Sequence, residues 1–226
     1  MTIKQKLGVP VKFKKAKLPL RKNFEGRHVV LEPLIISRHS KDLYNNFLRD
    51  KKNIIWKYLP YGPFKSYGSF KKWLKSFCLN KDPFFYAIYS KRHRQYCGMA
   101  SYLRIIPEHG SIEVGHINYS PILQNTVEGT EAMYLMMKNS FEVSGNRRYE
   151  WKCNNLNSAS KKAAKRLGFK FEGVFRQMFI FKGRNRDSAW FSIIDKEWKK
   201  HKKKYLSFLK QSNFDNKLNQ KKKLKI

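Results

Sequence analysis

The stretch 113–131 constrains the fold most, because it predicts a strand that turns almost directly into a helix. Its first residues are apolar and partly β-branched, as in a strand, and Gly115 marks a bulge or a close backbone approach. Pro121 ends the strand, and Glu128 or Thr130 begins a helix with apolar residues at helical spacing. The unpaired N–H groups at such a helix start suit an anion such as phosphate. An ordinary capped helix has the same pattern.

The periodicity of the whole chain predicts one strand, two helices, three antiparallel strands, a helix, a strand, a helix, two strands and a last helix. This order indicates an α+β, or mixed α/β, fold with a central, mostly antiparallel sheet of about seven strands flanked by helices. The predicted strands are 28–35, 84–89, 96–106, the start of the stretch 113–131, 148–153, 171–181 and 187–194. The predicted helices begin at Ser40, at Ser66 or Ser69, at Glu128 or Thr130, within 154–158 and at Asp195, and Gly168 ends the fourth of them.

The net charge of +33 is concentrated at the two ends of the chain. Residues 1–27 carry nine Lys or Arg against one acidic residue, and residues 199–226 carry eleven against one. We therefore expect a basic N-terminal extension (1–25), one domain (26–198) and a Lys-rich C-terminal helix or tail (199–226), the basic ends being flexible. Such charge suits RNA, ribosomes or another polyanion. A compositional bias explains it equally well, since no nucleic-acid motif accompanies it.

Cysteine usage indicates a reducing compartment. Cys78, Cys97 and Cys153 are odd in number and lack the spacing of metal ligands, so we expect free thiols and no metal site. No N-terminal apolar run resembles a signal peptide, and no stretch reaches the roughly 20 apolar residues of a membrane span. The expected location is the cytoplasm.

Four segments together resemble the GNAT acetyltransferases. They are Asn-Ser-Ala-Ser-Lys-Lys-Ala-Ala-Lys-Arg-Leu-Gly-Phe at 157–169, Glu-Gly at 172–173, Gly-Arg-Asn-Arg-Asp at 183–187 and Trp-Lys-Tyr-Leu-Pro at 56–60. More narrowly, they are similar to the RimJ/RimL type of ribosomal-protein N-acetyltransferase. The resemblance runs from about Gly26 to Trp198.

One position departs from the GNAT signature Gln/Arg-x-x-Gly-x-Gly/Ala. Gln124 and Gly129 match it, whereas Val127 stands where the first glycine is usual. We expect the backbone amides of this loop to cradle a pyrophosphate nonetheless.

The resemblance implies acetyl-CoA as cosubstrate, with its pantetheine arm between two separated strands. Main-chain groups at the end of the first strand and the amide of Asn157 would bind the arm, and Lys161, Lys165 and Arg166 would meet the nucleotide phosphates. A helix cap at Asn157 and a solvated face of cations are the alternatives. The implied cofactor-binding residues are Ile117, Asn118, Tyr119, Gln124, Asn125, Thr126, Val127, Glu128, Gly129, Thr130, Asn157, Lys161 and Lys165.

Acetyl transfer to an amine needs a route for the proton of the amine. Glu113 is the first candidate base, directly or through a water, because burial would raise its pKa; a structural carboxylate paired with an arginine is the alternative. Glu172 ranks second. His116 ranks third, because strand alternation puts it on the opposite face from Glu113 unless Gly115 bulges. Ordered water alone would also serve, and by resemblance Ser160 would protonate the departing thiolate.

Two loops, 56–64 and 182–187, are expected to flank the acceptor, with Trp56, Tyr58, Tyr61 and His116 in contact with it. The acceptor would be a peptide N-terminus or a small amine. We therefore predict an N-acetyltransferase that moves the acetyl group of acetyl-CoA to a primary amine by direct attack in a ternary complex. The alternative is a non-catalytic, basic RNA- or ribosome-binding protein on the same fold. No membrane association is expected.

Overall fold

The computed structural model describes residues 8–216 and 219–226, which fold around one eight-stranded sheet. The strands are β1 (Phe24–Glu25), β2 (Val29–Pro33), β3 (Phe84–Ser90), β4 (Gln95–Ile106), β5 (Ser111–Tyr119), β6 (Arg148–Asn154), β7 (Lys170–Phe181) and β8 (Arg184–Ile194). Their order is β1-β2-β3-β4-β5-β6-β8-β7, and β5 with β6 is the parallel pair in this otherwise antiparallel sheet.

Helices cover both faces of the sheet. They are α1 (Ile36–Phe47), α2 (Tyr67–Phe77), α3 (Val127–Lys138), α4 (Ser158–Arg166) and α5 (Asp195–Phe208). Short turns of other helix types lie at Ile54–Trp56, Asn139–Ser144 and Gln211–Asn213. One core lies between the sheet and α1 and α2, and a larger one lies between the sheet and α3, α4 and α5. The predicted mixed α/β arrangement is therefore a three-layer one.

The sheet has one strand more than the roughly seven predicted. The additional strand, β1, pairs its two residues with β2, Phe24 opposite Leu31. Two residues are too few to produce a pattern of alternation, so the sequence gives no signal for it.

Two helices begin earlier than predicted. α1 begins at Ile36 instead of Ser40, because Nδ1 of His39 accepts the N–H of Ile35 at 3.0 Å and takes the place of a side-chain cap at the preceding residue. α3 begins at Val127, because the Thr126 side chain caps it. The start of α2 after Ser66 is confirmed, with Ser66 and Ser69 forming a reciprocal capping box.

α3 is tied to the turn between β1 and β2 through one carboxylate. Glu131, only 4% exposed, accepts the backbone N–H groups of Arg27, His28 and Val29 at 2.9, 2.6 and 3.0 Å. A charged acceptor satisfies three buried donors that β1 is too short to pair. The first strands therefore have a fixed position relative to α3.

The described parts of the two basic ends pack on the domain, so they are not the flexible tails that the charge suggested. In the N-terminal part, Ala16 N–H donates to the Pro107 carbonyl oxygen, and Leu20 O accepts from Tyr86 Oη. In the C-terminal part, Tyr205 and Phe208 of α5 and the later Phe214 and Leu224 are buried. α5 is an amphipathic helix with lysines on one face and buried aromatic residues on the other. Its high lysine content concealed the helical spacing of the buried residues in the sequence. Residues 1–7 and 217–218 lie outside the described residues.

The three cysteines are free, as predicted, and the structure shows all three to be buried. Among the described residues, no three His, Cys, Asp or Glu side chains are grouped as metal ligands would be. None of the described helices has the length and hydropathy needed to cross a bilayer.

Candidate active site

The parallel strands β5 and β6 separate halfway along their length. Their pairing runs from Ser111 opposite Arg148 to Val114 opposite Trp151 and stops there. The following half of β5, 115–119, keeps its bonds to β4 and has no strand on its other side in the part of the chain that the structure describes. An extended ligand can therefore take the position of a missing strand. Ile117, Asn118 and Tyr119, which the resemblance assigned to the cofactor, lie in this segment.

A bulge in β5 changes which side chains share a face. His116 has a positive φ of 49°, and His116 with Ile117 stands opposite Ala100 alone, since the flanking pairs are Ser101–Gly115 and Met99–Asn118. The extra residue reverses the alternation, so His116 lies on the face of Glu113. The sequence analysis placed His116 on the opposite face from Glu113 unless the strand bulged at Gly115, and the strand does bulge directly after Gly115.

His116 packs under the layer formed by α1 and α2. Its ring stacks on Tyr61 with a centroid separation of 5.7 Å, and its Nδ1 lies 3.0 Å from Tyr61 Oη. Burial, with a smaller contribution from the charges of Arg104 and Arg186, lowers the pKa of His116 to about 4. The imidazole is therefore neutral at physiological pH, and no described residue hydrogen-bonds to its Nε2.

Glu113 forms part of a row of alternating charges whose members lie on β4, β5, β6 and β7. Its Oε2 lies 2.7 Å from Arg104 Nη1 and 2.9 Å from Lys152 Nζ. The pKa of the buried Glu113 carboxyl is raised by burial, against the effect of Lys152 and Arg104. The row continues from Lys152 to Glu150 at 2.8 Å, from Glu150 to Arg148 at 2.6 Å and from Arg148 to Glu172 at 2.5 Å.

The pKa of Glu172, the second predicted base, is lowered, whereas that of Glu113 is raised. Hydrogen bonds from Arg148 lower the pKa of Glu172, and the hydroxyl of Ser192, 2.6 Å away, lowers it further. A carboxylate held in this way is a weak proton acceptor.

The start of α3 presents backbone donors that have no partner. Asn125 has a φ of 58°, and the N–H groups of Asn125, Thr126, Val127 and Glu128 donate to none of the described residues. Successive amides in a left-handed residue and a first helical turn form a concave anion site. The predicted phosphate loop thus has the donors that its role requires.

The side chains of this loop hold its shape. A Cβ at Gly129 would lie 2.8 Å from the Leu123 carbonyl oxygen, so this signature position requires glycine. Val127, in place of the other glycine, points into the core and is 6% exposed. Gln124 Nε2 donates to Tyr119 O at 2.9 Å, and Tyr119 Oη donates to the Gly129 carbonyl at 3.0 Å. Because Val127 is buried, its side chain leaves the backbone donors uncovered.

α4 presents two polar side chains at its start. Asn157 caps the helix, with Oδ1 accepting the Ser160 N–H at 3.0 Å, and its amide nitrogen donates to no described residue. Ser160 Oγ accepts from Trp151 Nε1 at 3.0 Å and keeps its own proton to donate. Burial raises the pKa of the nearby Cys153 thiol, and Ser160 opposes the rise. Asn157 can cap the helix and bind a ligand at the same time, because the cap uses Oδ1 and leaves the amide nitrogen available.

The two flanks of α4 carry different cations. Arg166 Nη2 donates to Oγ1 of Thr130 at 3.0 Å, next to the loop at the start of α3. Lys161 and Lys165 line a groove with Phe171 and Phe191 of β7 and β8, on the other flank of α4. Of the three cations that the resemblance assigned to the nucleotide phosphates, Arg166 is therefore the one held beside the loop.

The two predicted acceptor loops meet. Lys182 Nζ, in the turn between β7 and β8, donates to the carbonyl oxygens of Trp56 and Gly62 at 2.9 and 3.0 Å. Tyr58 Oη donates to the Leu156 carbonyl before α4 at 3.1 Å. Trp56 is 4% exposed and packs against Phe47, so it supports the loop from within.

Three residues that the sequence analysis did not single out also belong to this region: Lys152 with its buried side chain, Trp190, which is partly buried, and the more exposed Arg104. Lys152 lies over the Trp190 ring at 3.7 Å, and Arg104 pairs with Glu113. The alternation of Arg148, Glu150 and Lys152 along β6 was a usable signal, since it puts the three charges on one face. Arg104 and Trp190 gave no signal, because only the fold brings them beside Lys152.

Comparison with known proteins identifies the family. The profile of the acetyltransferase (GNAT) domain matches residues 28–170. A GCN5-related N-acetyltransferase from Brucella melitensis is 40% identical, with 94% of this chain and 96% of that one covered and a TM-score of 0.92. A GNAT-family acetyltransferase from Chromobacterium violaceum is 38% identical, with coverage of 88% and 99% and a TM-score of 0.79. A search of curated proteins gave no match.

A more distant structure has the same fold. It is RimL, a ribosomal L7/L12 α-N-protein acetyltransferase in complex with coenzyme A, 20% identical, with coverage of 75% and 96% and a TM-score of 0.62. The family profile and the two relatives of 40% and 38% identity show that the present protein is an acyltransferase. The chain belongs to the GNAT family of acetyltransferases.

Proposed function

We propose that this acyltransferase moves the acetyl group of acetyl-CoA to a primary amine by direct attack in a ternary complex. The observation that carries the proposal is the separation of β5 from β6 beside four uncommitted backbone amides. An extended arm with a diphosphate at one end fits this combination. Asn118 adds support, since it is 1% exposed and neither polar atom of its side chain has a partner among the described residues.

The residues suited to hold acetyl-CoA follow from these contacts. The amides of 125–128 would bind the diphosphate, with Gly129 and Thr130 shaping the turn, and the free edge of 117–119 would bind the pantetheine arm. The Asn157 amide would donate to the same arm. Arg166 is better positioned for a phosphate than Lys161 or Lys165, because it already contacts Thr130.

The thioester of bound acetyl-CoA supplies an activated acetyl group. A backbone N–H of the 117–119 edge would polarise the carbonyl, and Ser160 Oγ–H, oriented by Trp151, would deliver a proton to the departing sulfur. The roles of these groups rest on position alone.

For the proton of the amine, the geometry favours His116. When its proton is on Nδ1 and is donated to Tyr61 Oη, Nε2 presents a lone pair to the amine. Because the pKa of His116 is low, the imidazole would accept a hydrogen bond from the amine and orient it. The proton of the amine would then pass to water. Glu113 is the alternative: its raised pKa suits a base, but Arg104 and Lys152 both occupy Oε2.

The acceptor is proposed to be a protein N-terminus or a small amine, in the manner of the RimJ/RimL type. The joined loops 56–64 and 182–187 form a wall on the acceptor side, with Tyr58 and Tyr61 the partly exposed aromatic residues. RimL, which has the same fold, is a ribosomal L7/L12 α-N-protein acetyltransferase. A cytoplasmic location and a catalytic unit within 26–198 complete the proposal.

Calorimetric titration of acetyl-CoA tests the cofactor part. We expect one-to-one binding, much tighter than that of ATP, which controls for the attraction of a +33 protein to phosphates. Asn157→Ser keeps the cap and removes the amide donor, so acetyl-CoA affinity should fall about tenfold with stability retained, whereas Asn157→Ala should lose both. Equal, salt-sensitive binding of acetyl-CoA and ATP would refute the proposed site.

A further inference from the structure

A groove between α4 and the strands β7 and β8 lies apart from the acetyl-transfer site. It has a volume of about 290 Å³, at the small end of ligand pockets. Arg166, which contacts Thr130 of the loop 125–130, is not among the residues that line the groove. The residues that line the groove are Asn155, Ser158, Lys161, Lys162, Lys165, Phe171 and Phe191.

One wall of the groove carries three uncompensated cations. Lys161, Lys162 and Lys165 have the spacing that puts side chains on one helix face. Lys161 Nζ lies 3.2 Å from Asn155 Oδ1, a neutral partner. None of the three forms a salt bridge with an acidic residue that the structure describes. The wall therefore attracts anions without an internal competitor.

The other wall offers an aromatic surface. Phe171 is 52% exposed, although it lies in a strand next to a core phenylalanine. Its ring contacts Phe191 at a centroid distance of 5.4 Å and an interplanar angle of 61°. Phe191, 1% exposed, thus fixes the Phe171 ring from below and leaves much of it uncovered. A half-exposed phenyl group contributes less to folding than a fully buried one, and its uncovered face provides a platform for stacking.

Proteins that bind single-stranded nucleic acid without sequence preference combine positive charges for the phosphates with exposed aromatic rings for the bases. The groove contains both. We propose that this groove binds single-stranded RNA, with phosphates on the three lysines and a base stacked on Phe171. An acidic peptide would satisfy the lysines, but its acidic side chains are not planar rings, whereas every nucleotide of an RNA carries a base beside its phosphate. The inference does not depend on the proposed acetyl transfer. It places RNA binding in this groove and not in the basic chain ends that the sequence analysis considered.

The test is fluorescence anisotropy of a labelled oligouridylate with the full-length protein at several salt concentrations. Phe171→Ala should weaken binding about tenfold at every salt concentration without changing the salt slope. Lys161→Ala/Lys162→Ala/Lys165→Ala should make the slope of log affinity against log salt shallower by about 2, since roughly 0.7 is expected per phosphate contact.

Two matched controls separate the groove from general charge and general aromatic surface. Lys71, Lys72 and Lys75 of α2 have the same spacing on an exposed helix face, and their triple alanine variant removes the same charge. Phe175 is 48% exposed on the same strand but stacks on Trp190 instead of lining the groove. Both control variants should bind RNA as the wild type does.

Three results would overturn the proposal. One is that the control variants lose as much affinity for RNA as the groove variants, which would mean that binding depends on overall charge and exposed aromatic surface and not on this groove. Another is equal binding of oligoglutamate through the same residues, which would indicate an acidic peptide. The third is binding of uridine monophosphate as tightly as the oligomer, which would indicate a free nucleotide. Thermal unfolding and circular dichroism of each variant exclude loss of fold as the cause.

Discussion

The hydroxyl of Tyr61 lies 3.0 Å from Nδ1 of His116, and this contact joins the acceptor loop to the bulged strand β5. Because the two nitrogens of a neutral imidazole have opposite roles, the partner of Nδ1 influences what Nε2 can do. Tyr61 is therefore a positioning residue in the proposed chemistry.

Tyr61→Phe tests this role. Without the phenol oxygen as an acceptor, the tautomer that leaves Nε2 unprotonated loses its support, and we expect kcat to fall about tenfold with acetyl-CoA affinity unchanged. His116→Gln should lower kcat by more. Steady-state kinetics with a model amine and calorimetry with acetyl-CoA measure both. An unchanged kcat in both variants would exclude His116 from the proton route.

The buried, neutral state of His116 should also appear in the pH dependence of stability. Its pKa in the folded state, about 4, is below the unfolded value of about 6.5, so folding opposes protonation. The contribution is fully present above pH 6.5 and is lost as the pH falls towards 4. In His116→Gln, the decrease in unfolding free energy between pH 7 and pH 4 should be smaller by up to about 3 kcal/mol. Urea unfolding at several pH values measures it; identical decreases would contradict the assignment.

Glu113→Gln separates a structural carboxylate from a catalytic one. The change leaves Lys152, whose side chain is 6% exposed, without one of its two acidic partners, so we expect a loss of about 3 kcal/mol in unfolding free energy. Glu150→Gln removes the other partner of Lys152 and is the matched control. If both variants keep comparable kcat per folded molecule, Glu113 is structural. A loss of more than about a hundredfold in Glu113→Gln alone would make it the base.

Features of the fold that depend on neighbouring residues could be predicted from the sequence, whereas features that depend on pairing between strands could not. The cap of α2 at Ser66, the turn into α3 and the C-terminal stop of α4 at Gly168 depend on neighbouring residues, and the structure contains them. The bulge that rotates His116 was only a conditional possibility in the sequence, because it depends on pairing with β4. The role of Arg104 was hidden for the same reason, since its partner is on another strand.

Glu131→Gln should weaken the attachment of the first strands to α3. An amide oxygen can replace one acceptor, but the neutral group cannot hold three N–H donors at the observed distances. We expect a loss of about 2–4 kcal/mol, measured by urea unfolding. Glu25→Gln, an exposed carboxylate in the neighbouring strand, should cost less than about 0.5 kcal/mol. Equal effects of the two changes would show that the clamp contributes little.

Lys182→Met tests the link between the two acceptor loops. Methionine keeps the apolar stem and loses the donors to Trp56 and Gly62, so the wall should become mobile while the core is intact. We expect KM for the amine to rise about fivefold and the unfolding free energy to change by less than about 1 kcal/mol. Acetyl-CoA affinity, measured in parallel, should not change. A constant KM would remove the joined loops from acceptor binding.

The row of charges from Arg104 to Glu172 has a consequence for how this protein can diverge. Each inner member balances two neighbours, so a substitution at any one of them strands a charge in a water-poor place, whereas replacing adjacent partners together does not. Descendants of this sequence should therefore change these positions in pairs, and intermediates with one exchange should be short-lived. The row therefore changes as one coupled unit, although its members lie on four different strands. Its members are Arg104, Glu113, Lys152, Glu150, Arg148 and Glu172.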